Sequence, residues 1–540
     1  MTTTTVMDFE VVVIGAGLAG LRAALAAAEA GCRTGIVCKS YLAAETASGM
    51  AGGGFIYPSK DLPPEDYLEE VVRTGRGLND MRLLESLARY GEADFHDAVR
   101  RFGWSYVVRD RYQSTLTGGL VPGYRTTLQV ARAAVAAGAM PVENHTVVKL
   151  LVDDGRCLGC VCLNERGELC YLKAGAVVLA TGGFAGLFAL NDNPPRSTGD
   201  GHVLALEAGC RLRDMEFVQF YPLGLDDKRL PHYMMGLPFP QGTRLLDENG
   251  EDVLARHFPA GTTLYEAAKE YRDRLSIVIL KEKEQGHRPL VDFSQTDRGE
   301  WDRFSITRLL PRWGRDPLAA PVPVSPIAHF TMGGVVVGPD LQTDVPGLFA
   351  AGEVAGGVHG ANRYAANALL ACLVHGRLAG EAAARAAVEA RAGALACASL
   401  PAREDILAES FCAYLFGGSP AIDGGAEASE EVRRLRGQLG QLCGRYLNPL
   451  RSENMLRQGL AALSQLEARV RPMRAEGACA REVVELRAGV RVARWAMQAA
   501  LLRQESRGAH YRDDFPQTDE ITWRRPIVVE PTADGEGEAR

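Results

Sequence analysis

A glycine-rich turn near the N-terminus places the strongest constraint on what this chain can fold into. The apolar run at residues 9–14 is typical of a strand buried on both faces of a parallel sheet, and Gly15, Gly17 and Gly20 follow it at once. The Ala- and Leu-rich segment that begins at Leu21 has high helix propensity. Glycines at this spacing permit a tight turn, a close approach of the backbone to a pyrophosphate, and packing of the helix on the strand. The turn therefore predicts a βαβ unit that binds a dinucleotide.

Glycine is also abundant in the chain as a whole, at 59 of 540 residues. This exceeds the usual share of about 7% without a Gly-X-Y period, so we expect backbone that turns sharply or lies against a large ligand. Hydrophobic residues make up 46% and charged residues 24% of the sequence, which excludes a disordered chain and an integral membrane protein. Acidic residues (67) outnumber basic ones (60), so no surface for nucleic acid is expected.

The sequence also indicates a location for the protein. The first ten residues lack the basic and apolar regions of a secretory signal, and two long uncharged runs, 174–190 and 317–338, are interrupted by glycine or proline. We therefore expect a cytoplasmic protein with no transmembrane segment of its own, for which any membrane association would come through a partner subunit.

The twelve cysteines are scattered along the chain, as is typical of reduced thiols. One local cluster, Cys157, Cys160 and Cys162, has the spacing of a redox or metal motif. No second CxxC pair follows it, so small apolar residues on a strand are the favoured interpretation. No metal site is predicted.

The strand pattern of the opening unit returns later in the chain, after an interruption. Buried strands of the parallel type are predicted at residues 176–180 and 348–351, whereas the region between them at 231–325 has more charge and proline. We predict an α/β protein in which a Rossmann-like dinucleotide-binding domain is interrupted by an α+β capping domain and followed by a helical domain with an extended tail. The predicted ranges are 1–230 and 326–395 for the first domain, 231–325 for the second and 396–540 for the third.

Three further segments indicate which dinucleotide is bound. They are the sequence ATGG at residues 180–183, TGDG at 198–201 and AGE at 351–353. In this order, and with the opening glycines, they resemble the two-dinucleotide-binding-motif flavoproteins, in which the first and last of these segments wrap FAD. A domain that binds NAD alone has no use for the late segment.

Longer segments make the resemblance specific. Residues 325–334 (SPIAHFTMGG), 359–367 (HGANRYAAN) and 505–516 (ESRGAHYRDDFP) resemble the signature segments of one family. That family contains the flavoprotein subunits of succinate dehydrogenase and fumarate reductase, and L-aspartate oxidase. The similarity runs from about residue 8 to residue 525, which is nearly the whole chain.

The resemblance implies a cofactor and its contacts. It implies that FAD lies against Gly15, Ala16, Gly17, Gly20, Lys39, Gly52, Gly53, Thr181, Gly182, Asp200, Glu353, Arg363 and Asn367. We expect FAD to bind noncovalently, since ETASG at residues 45–49 stands where the dehydrogenases have the histidine that links FAD. An iron–sulfur or other electron-transfer subunit is implied as a partner, and its clusters would lie on that other chain.

For the substrate, the resemblance implies that His329 and Arg363 hold a carboxylate beside the flavin. The chemistry suits this role, because a guanidinium binds a carboxylate through two hydrogen bonds and an imidazole adds another donor. A second interpretation of His329 is a buried core histidine that has a protein partner. Arg363 is harder to explain structurally, because an unpaired buried arginine is costly.

The segment that binds another substrate carboxylate in the family is changed here. Its His-Pro-Thr-Gly sequence corresponds to residues 221–224, where Tyr221 and Leu223 replace the two donors. Neither side chain offsets the charge of a buried carboxylate. We therefore expect a small substrate with one carboxylate, other than succinate or fumarate, whose less polar remainder reaches Tyr221, Leu223 and Phe239.

The residue that moves the proton stays open among several candidates. The family's proton-donating arginine corresponds to the region 270–275, which contains both Arg272 and Arg274. Tyr221 is another candidate catalytic residue, and Arg244 is a weaker one.

Three functions are compatible with the sequence. The first is an FAD-dependent dehydrogenase or reductase that transfers hydride between flavin N5 and a C–C bond next to a carboxylate. The second is L-aspartate oxidase, which the length and the noncovalent FAD favour and the changed substrate segment disfavours. The third is a flavoprotein with a decayed site that serves as an electron-transfer or structural subunit. Retention of His329 and Arg363 argues against the third.

Overall fold

A computed structural model of the chain describes residues 5–109, 111–116, 121–392, 426–473, 479–532 and 535–540. Within these ranges the strands are β1 (Thr5–Asp8), β2 (Val11–Ile14), β3 (Thr34–Val37), β4 (Gly54–Phe55), β5 (Tyr106–Arg109), β6 (Tyr112–Thr115), β7 (Met140–Val142), β8 (Thr146–Asp153), β9 (Arg156–Leu163), β10 (Leu169–Lys173), β11 (Ala176–Leu179), β12 (Leu212–Arg213), β13 (Val218–Leu225), β14 (Arg244–Leu246), β15 (Leu290–Asp292), β16 (Val322–Thr331), β17 (Gly334–Val335), β18 (Leu348–Ala350), β19 (Leu450–Arg451), β20 (Tyr511–Arg512), β21 (Val528–Glu530) and β22 (Glu538–Ala539). The helices are α1 (Leu18–Glu29), α2 (Ala47–Met50), α3 (Pro64–Thr74), α4 (Met81–Phe102), α5 (Pro122–Ala136), α6 (Asp200–Glu207), α7 (Val253–His257), α8 (Leu264–Glu270), α9 (Arg272–Glu284), α10 (Ser305–Arg312), α11 (Asn367–Ala392), α12 (Ala426–Tyr446), α13 (Glu453–Val470) and α14 (Ala480–Leu502).

The opening βαβ unit forms the centre of a five-stranded sheet in the order β18-β11-β2-β3-β7, in which every neighbouring pair is parallel. All four residues of β2 are buried, as expected for a sheet covered on both faces. α1 packs on this sheet and on α11, and the helices approach closely because Gly376 and Gly380 stand opposite Ala19 and Ala23. The late strands β11 and β18 join the same sheet, so the predicted α/β fold class is confirmed.

The cysteine cluster lies in a second sheet, of order β1-β10-β9-β8. Cys157, Cys160 and Cys162 are buried on β9, which forms a hairpin with β10. This is the arrangement that the strand interpretation predicted. Among the described residues, no group of three His, Cys, Asp or Glu side chains is arranged to hold a metal ion.

The region between the two halves of the dinucleotide-binding fold has a core of its own. Its antiparallel sheet has the order β13-β16-β15-β14, and its buried apolar residues, between 221 and 327, form a cluster separate from the main core. β13 and β16 belong to both parts, because Phe220 and Ala328 pack in the main core whereas Tyr221 and Ile327 pack in the second cluster. These two strands therefore bring residues from the capping region to the boundary with the main core.

The last part of the described chain is helical, as predicted. α12, α13 and α14 pack against one another, and α14 is buried along most of its length. The tail after residue 526 is paired as well as extended, because β21 forms antiparallel ladders with β12 and β22. The predicted boundary between residues 395 and 396 lies outside the described residues. No helix in the described ranges combines the length and the apolar character needed to cross a bilayer.

Candidate active site

A cavity of about 630 Å³ opens at the carboxyl ends of the parallel strands. Its wall includes the segments that follow β2, β3, β11 and β18, the edge of an open α/β sheet where ligands characteristically bind. The predicted cofactor residues that line it are Gly15, Ala16, Gly17, Lys39, Gly52, Gly53, Thr181, Gly182, Asp200, Glu353 and Arg363. His329, Tyr221 and Arg272 line the same cavity.

The glycine turn after β2 is shaped by backbone constraints. Gly15 has a φ of +115°, and a Cβ there would lie 2.2 Å from the carbonyl oxygen of Ala180. A Cβ on Gly20 would lie 2.0 Å from the Gly15 oxygen, so Gly20 lets α1 approach the turn and does not itself line the cavity. Gly17 precedes α1 and brings no side chain to cap it; the Leu18 N–H donates to the Ser48 hydroxyl over 3.2 Å, and the N–H groups of Ala19 and Gly20 remain available to a phosphate.

A charged network closes the end of the cavity next to β3. Lys39 Nζ donates to Asp200 Oδ1 over 2.8 Å and lies 3.2 Å from Glu485 Oε1. Asp200 begins α6, so its carboxylate lies beside the residue that follows β3. Burial acts to raise the pKa of Glu485, but Lys39 and Arg196 hold it below its usual value. Sequence analysis missed Arg196 and Glu485, because neither belongs to a motif and Glu485 comes from the distant helix α14.

The ATGG segment at residues 180–183 and the AGE segment at residues 351–353 meet behind the centre of the cavity. Glu353 accepts hydrogen bonds from the backbone N–H and the hydroxyl of Thr331, over 2.9 and 3.1 Å, and burial raises the pKa of its carboxyl. Gly183 is required there, because a Cβ would lie 2.3 Å from Glu353 Oε1. The Thr181 hydroxyl is buried with no hydrogen-bond partner in the described part of the chain, and its residue lines the cavity. The hydroxyl packs against Gly201, where a Cβ would lie 1.8 Å from its oxygen.

His329 lies on β16 and is fixed by the neighbouring loop. Its Nδ1 donates to Asp192 Oδ2 over 2.8 Å, and the Asn193 side chain donates to the His329 carbonyl over 3.0 Å. The N–H of Asp192 donates to the carbonyl of Ala328, so the loop runs alongside β16. With Nδ1 engaged, Nε2 remains for a ligand. Nothing in the sequence singles out Asp192, because its loop has neither a periodic pattern nor a motif.

Arg363 is buried, with 7% of its surface exposed, and the protein holds its guanidinium through Nε. Its Nε donates to Gln219 Oε1 over 3.1 Å, and its Cζ lies 4.9 Å from the centre of the Phe330 ring. Nη1 and Nη2 make no hydrogen bond with any described residue, so both can donate to a carboxylate. Burial and the nearby Arg272 lower the pKa of Arg363 to about 10, which leaves it charged at neutral pH.

The structure separates the two candidate arginines of α9. Arg272 begins the helix and lines the cavity, with its Cζ 5.2 Å from the centre of the Tyr221 ring. Arg274 lies about 200° further around the helix, where it covers the Phe258 ring and donates to the His257 carbonyl. Arg274 is therefore not brought to the cavity. The weaker candidate Arg244 is not either, because its Nη2 pairs with Asp292 over 2.6 Å.

Besides Gly20, three predicted contacts do not lie in the cavity wall. Leu223 and Phe239 are buried in the core of the capping region, Leu223 after a bulge between Tyr221 and Gly224 in β13. Asn367 is buried behind the wall, where its Oδ1 accepts from the Tyr67 hydroxyl over 2.6 Å. The capping region instead lines the cavity with Met234, Gly236, Leu237, Pro238, Tyr265 and Lys269.

Comparisons with known proteins show what the chain is similar to. Residues 10–369 match the model of an FAD binding domain, and residues 436–538 match that of the fumarate reductase flavoprotein C-terminal region. The chain is 33% identical to the L-aspartate oxidase of Streptomyces coelicolor, over 96% of this chain and 91% of that protein. It is 29% identical to the fumarate reductase flavoprotein subunit of Haemophilus influenzae, over 97% and 92%. Among solved structures, a mutant quinol fumarate reductase of Escherichia coli superposes with a TM-score of 0.86 at 26% identity, over 99% of this chain and 96% of that one.

FAD is the cofactor of this protein, and the cavity can be tested as its site. The residues present fit FAD, because Gly17 brings no side chain to the N-terminal end of α1, where the N–H groups beyond the one bonded to Ser48 can donate to a pyrophosphate. Asp200, in the segment 198–201, and Glu353, in the segment 351–353, place carboxylates in the same cavity wall. Hydroxyl and N–H groups of a ligand can donate to them.

FAD is expected to leave the protein on denaturation. Residues 45–49 contain no histidine, and the two histidines of the cavity wall, His145 and His329, each have Nδ1 engaged by the protein. Acid precipitation of the holoenzyme should therefore release all of the flavin absorbance into the supernatant. Flavin fluorescence that stays with the washed pellet would contradict noncovalent binding.

Proposed function

Since the chain belongs to the family of FAD-dependent oxidoreductases that includes fumarate reductase flavoprotein subunits and L-aspartate oxidases, we propose that it oxidises or reduces the C–C bond next to the single carboxylate of a small acid. FAD supplies the hydride acceptor or donor for this reaction. The substrate in this proposal is an acid other than succinate or fumarate.

The proposal rests mainly on one observation, that a fixed carboxylate-binding pair shares a cavity with the cofactor turn. Arg363 offers two free N–H groups on a side chain that Gln219 and Phe330 hold in place, and His329 offers Nε2 from a ring that Asp192 orients. Two parallel donors of a guanidinium bind a carboxylate strongly and in a defined direction, and His329 Nε2 adds another donor when the ring carries a proton on both nitrogens. A flavoprotein with a decayed site would have no reason to keep this arrangement.

The rest of the cavity supports a substrate with one carboxylate. The loop next to Tyr221 lines the wall with Met234, Leu237 and Pro238, none of which offsets a negative charge, and the cation on that side is Arg272, to which we assign the proton transfer below. Asp192 places a carboxylate of its own beside His329, which disfavours another anionic group close to it. The Lys269 side chain is 48% exposed, so water screens its charge.

Arg272 is the residue that we propose moves the proton. It lines the cavity with its guanidinium over the Tyr221 ring, and its Nε is buried with no hydrogen-bond partner among the described residues. Tyr221 is the weaker candidate, because its hydroxyl is buried and inaccessible from the cavity, and burial raises the pKa of that hydroxyl to about 12.

An electron-transfer subunit is proposed as the partner of this chain. The relatives from Haemophilus influenzae and Escherichia coli are named flavoprotein subunits, and they are similar to this chain over nearly its whole length. Any association with a membrane would come through such a subunit.

L-aspartate oxidase is the second candidate. Several relatives of that name match most of the chain, at 30–33% identity for those from Streptomyces coelicolor and Bacillus subtilis. Formation of iminoaspartate and peroxide from L-aspartate in air would select this function.

The proposed function is tested by mixing the holoenzyme without oxygen with saturated monocarboxylic acids, with succinate and with L-aspartate, and following the flavin absorbance near 450 nm. Bleaching by a monocarboxylic acid, with succinate and aspartate much slower, is the expected result. A parallel series starts from dithionite-reduced enzyme and unsaturated acids, so that both reaction directions are covered. Succinate turnover at the highest rate of the series, or no flavin change with any acid in either series, would overturn the proposal.

A further inference from the structure

A hydrogen bond joins the two segments that carry Arg272 and Arg363. The Asn362 side chain donates to Asp273 Oδ2 over 2.7 Å. Asn362 precedes Arg363 in the dinucleotide-binding fold, and Asp273 follows Arg272 in the first turn of α9, in the capping region. The bond therefore crosses the boundary between the two parts of the chain, with the carboxylate site on one side and the proposed proton donor on the other.

On the first side, Arg363 is held independently of this bond. Gln219 Oε1 accepts from Arg363 Nε over 3.1 Å, and Gln219 Nε2 donates to the Arg363 carbonyl over 3.0 Å. Gln219 Nε2 also donates to Asn362 Oδ1 over 2.6 Å, and Gln219 is 1% exposed. Because Gln219 bonds both the backbone and the guanidinium of Arg363, the carboxylate site keeps its shape without Asp273.

On the second side, the position of Arg272 depends on the helix that carries it. Its Nε is buried without a hydrogen-bond partner among the described residues, and its Cζ packs 5.2 Å from the centre of the Tyr221 ring. Tyr271, which precedes α9, brings no side-chain cap to the helix. The first turn of α9 therefore places Arg272, and Asp273 bonds that turn to Asn362.

The charges at the boundary act against this placement. Arg272 lies close enough to Arg363 to lower the pKa of the latter, so the two cations repel each other. Asp273 supplies a carboxyl on the same turn; burial raises its pKa, whereas Arg272 and Arg76 act in the opposite direction. The bond from Asn362 to Asp273 therefore holds the first turn of α9 against the repulsion.

We propose that Asp273 and Asn362 are positioning residues, whose hydrogen bond sets the distance between Arg272 and a carboxylate bound at Arg363. This inference rests on the proposed function, because it assumes that Arg363 binds the carboxylate and that Arg272 moves the proton. A displacement of about 1 Å between reacting groups can lower a rate about 10²-fold. Breaking the bond should therefore slow the reaction and leave carboxylate binding nearly unchanged.

Three unsaturated monocarboxylic acids, crotonate, tiglate and cinnamate, serve as probes. The dissociation constant of each is measured on the oxidised holoenzyme from the change in flavin absorbance. The rate is measured by mixing dithionite-reduced holoenzyme with a saturating acid, without oxygen, and following the return of the flavin absorbance. The acid that reacts fastest with the wild type is used for the variants.

Asp273→Ala is expected to lower the rate at saturation at least about tenfold, with the dissociation constant within about twofold of the wild type. Asn362→Asp should lower the rate further, because two carboxylates would then face each other across the boundary. Combining Asn362→Asp with Asp273→Asn should restore most of the rate, because an amide on α9 then donates to a carboxylate that still accepts from Gln219. Flavin content shows whether each variant folds.

Asp513→Ala is the matched control, because it removes another polar contact of the same helix. Lys281 of α9 pairs with Asp513 over 3.0 Å, with 36% and 58% of the two side chains exposed. An exposed pair of this kind contributes little to the structure. The rate and the dissociation constant of Asp513→Ala should both stay within about twofold of the wild type.

The outcomes separate this inference from the function on which it rests. An unchanged rate in Asp273→Ala, or no recovery in a double variant that retains its flavin, would overturn the inference and leave the carboxylate site standing. A dissociation constant that rises as much as the rate falls would also overturn it, since the bond would then support Arg363 and not Arg272. Failure of all three acids to reoxidise the wild-type flavin would overturn the proposed function, and the inference with it.

Discussion

Replacing Arg363 with glutamine is expected to lower kcat/KM about 10³-fold for the acid that bleaches the flavin most rapidly, while FAD stays bound. The expectation follows from burial: the guanidinium supplies both free N–H groups, and little water can take its place. Truncating one partner of a buried charged hydrogen-bonded pair costs about 2–5 kcal/mol, which corresponds to a factor of about 30 to several thousand. Stopped-flow flavin reduction without oxygen, over a range of acid concentrations, measures the effect.

A lysine at the same position provides the matched comparison. Arg363→Lys keeps the positive charge but loses the planar pair of donors, so its kcat/KM should lie between those of the wild type and Arg363→Gln. Flavin content controls for the second role predicted for Arg363, contact with the cofactor. Full activity in Arg363→Gln would contradict the carboxylate site, and loss of FAD from both variants would assign the residue to the cofactor instead.

The cofactor part of the site was predictable because its constraints are local in the sequence. Gly15 must be glycine for two reasons that a short motif records, a positive φ and a carbonyl oxygen 2.2 Å from any Cβ. A Cβ on Gly183 would likewise lie too close to another atom, Glu353 Oε1 at 2.3 Å. Gly15 and Gly183 both fall in recognisable segments. The parallel strands were equally readable, since burial on both faces gives continuous apolar runs.

The substrate part depended on geometry that no short motif records. A bulge in β13 places Tyr221 in the cavity and Leu223 in the capping core, although both residues lie two positions apart on one strand. Without the bulge, period-two alternation would put both on the same face. Asp192 was missed because its contact with His329 joins residues 137 positions apart.

Arg272→Met is expected to lower kcat by about 10²–10⁴-fold, the usual contribution of a positioned proton donor, with a much smaller change in KM. The reason is position, because Arg272 lies in the cavity against Tyr221 whereas the carboxylate is held by Arg363 and His329. The chain offers its own control in Arg274, which has the same side chain two residues later and faces Phe258 outside the cavity. Arg274→Met should therefore keep kcat within about twofold of the wild type, as for surface substitutions in general.

Arg272→Lys adds a test of the role itself. An ammonium can still carry a proton, so lysine should restore part of the kcat that methionine removes, whereas a residue needed only to pack on the Tyr221 ring would be replaced best by methionine. Steady-state kcat and KM for the most active acid, with flavin content as the control for folding, distinguish these cases. Equal losses in Arg272→Met and Arg274→Met would show that the cavity position is irrelevant, and an unchanged kcat in Arg272→Met would move the proton transfer to Tyr221.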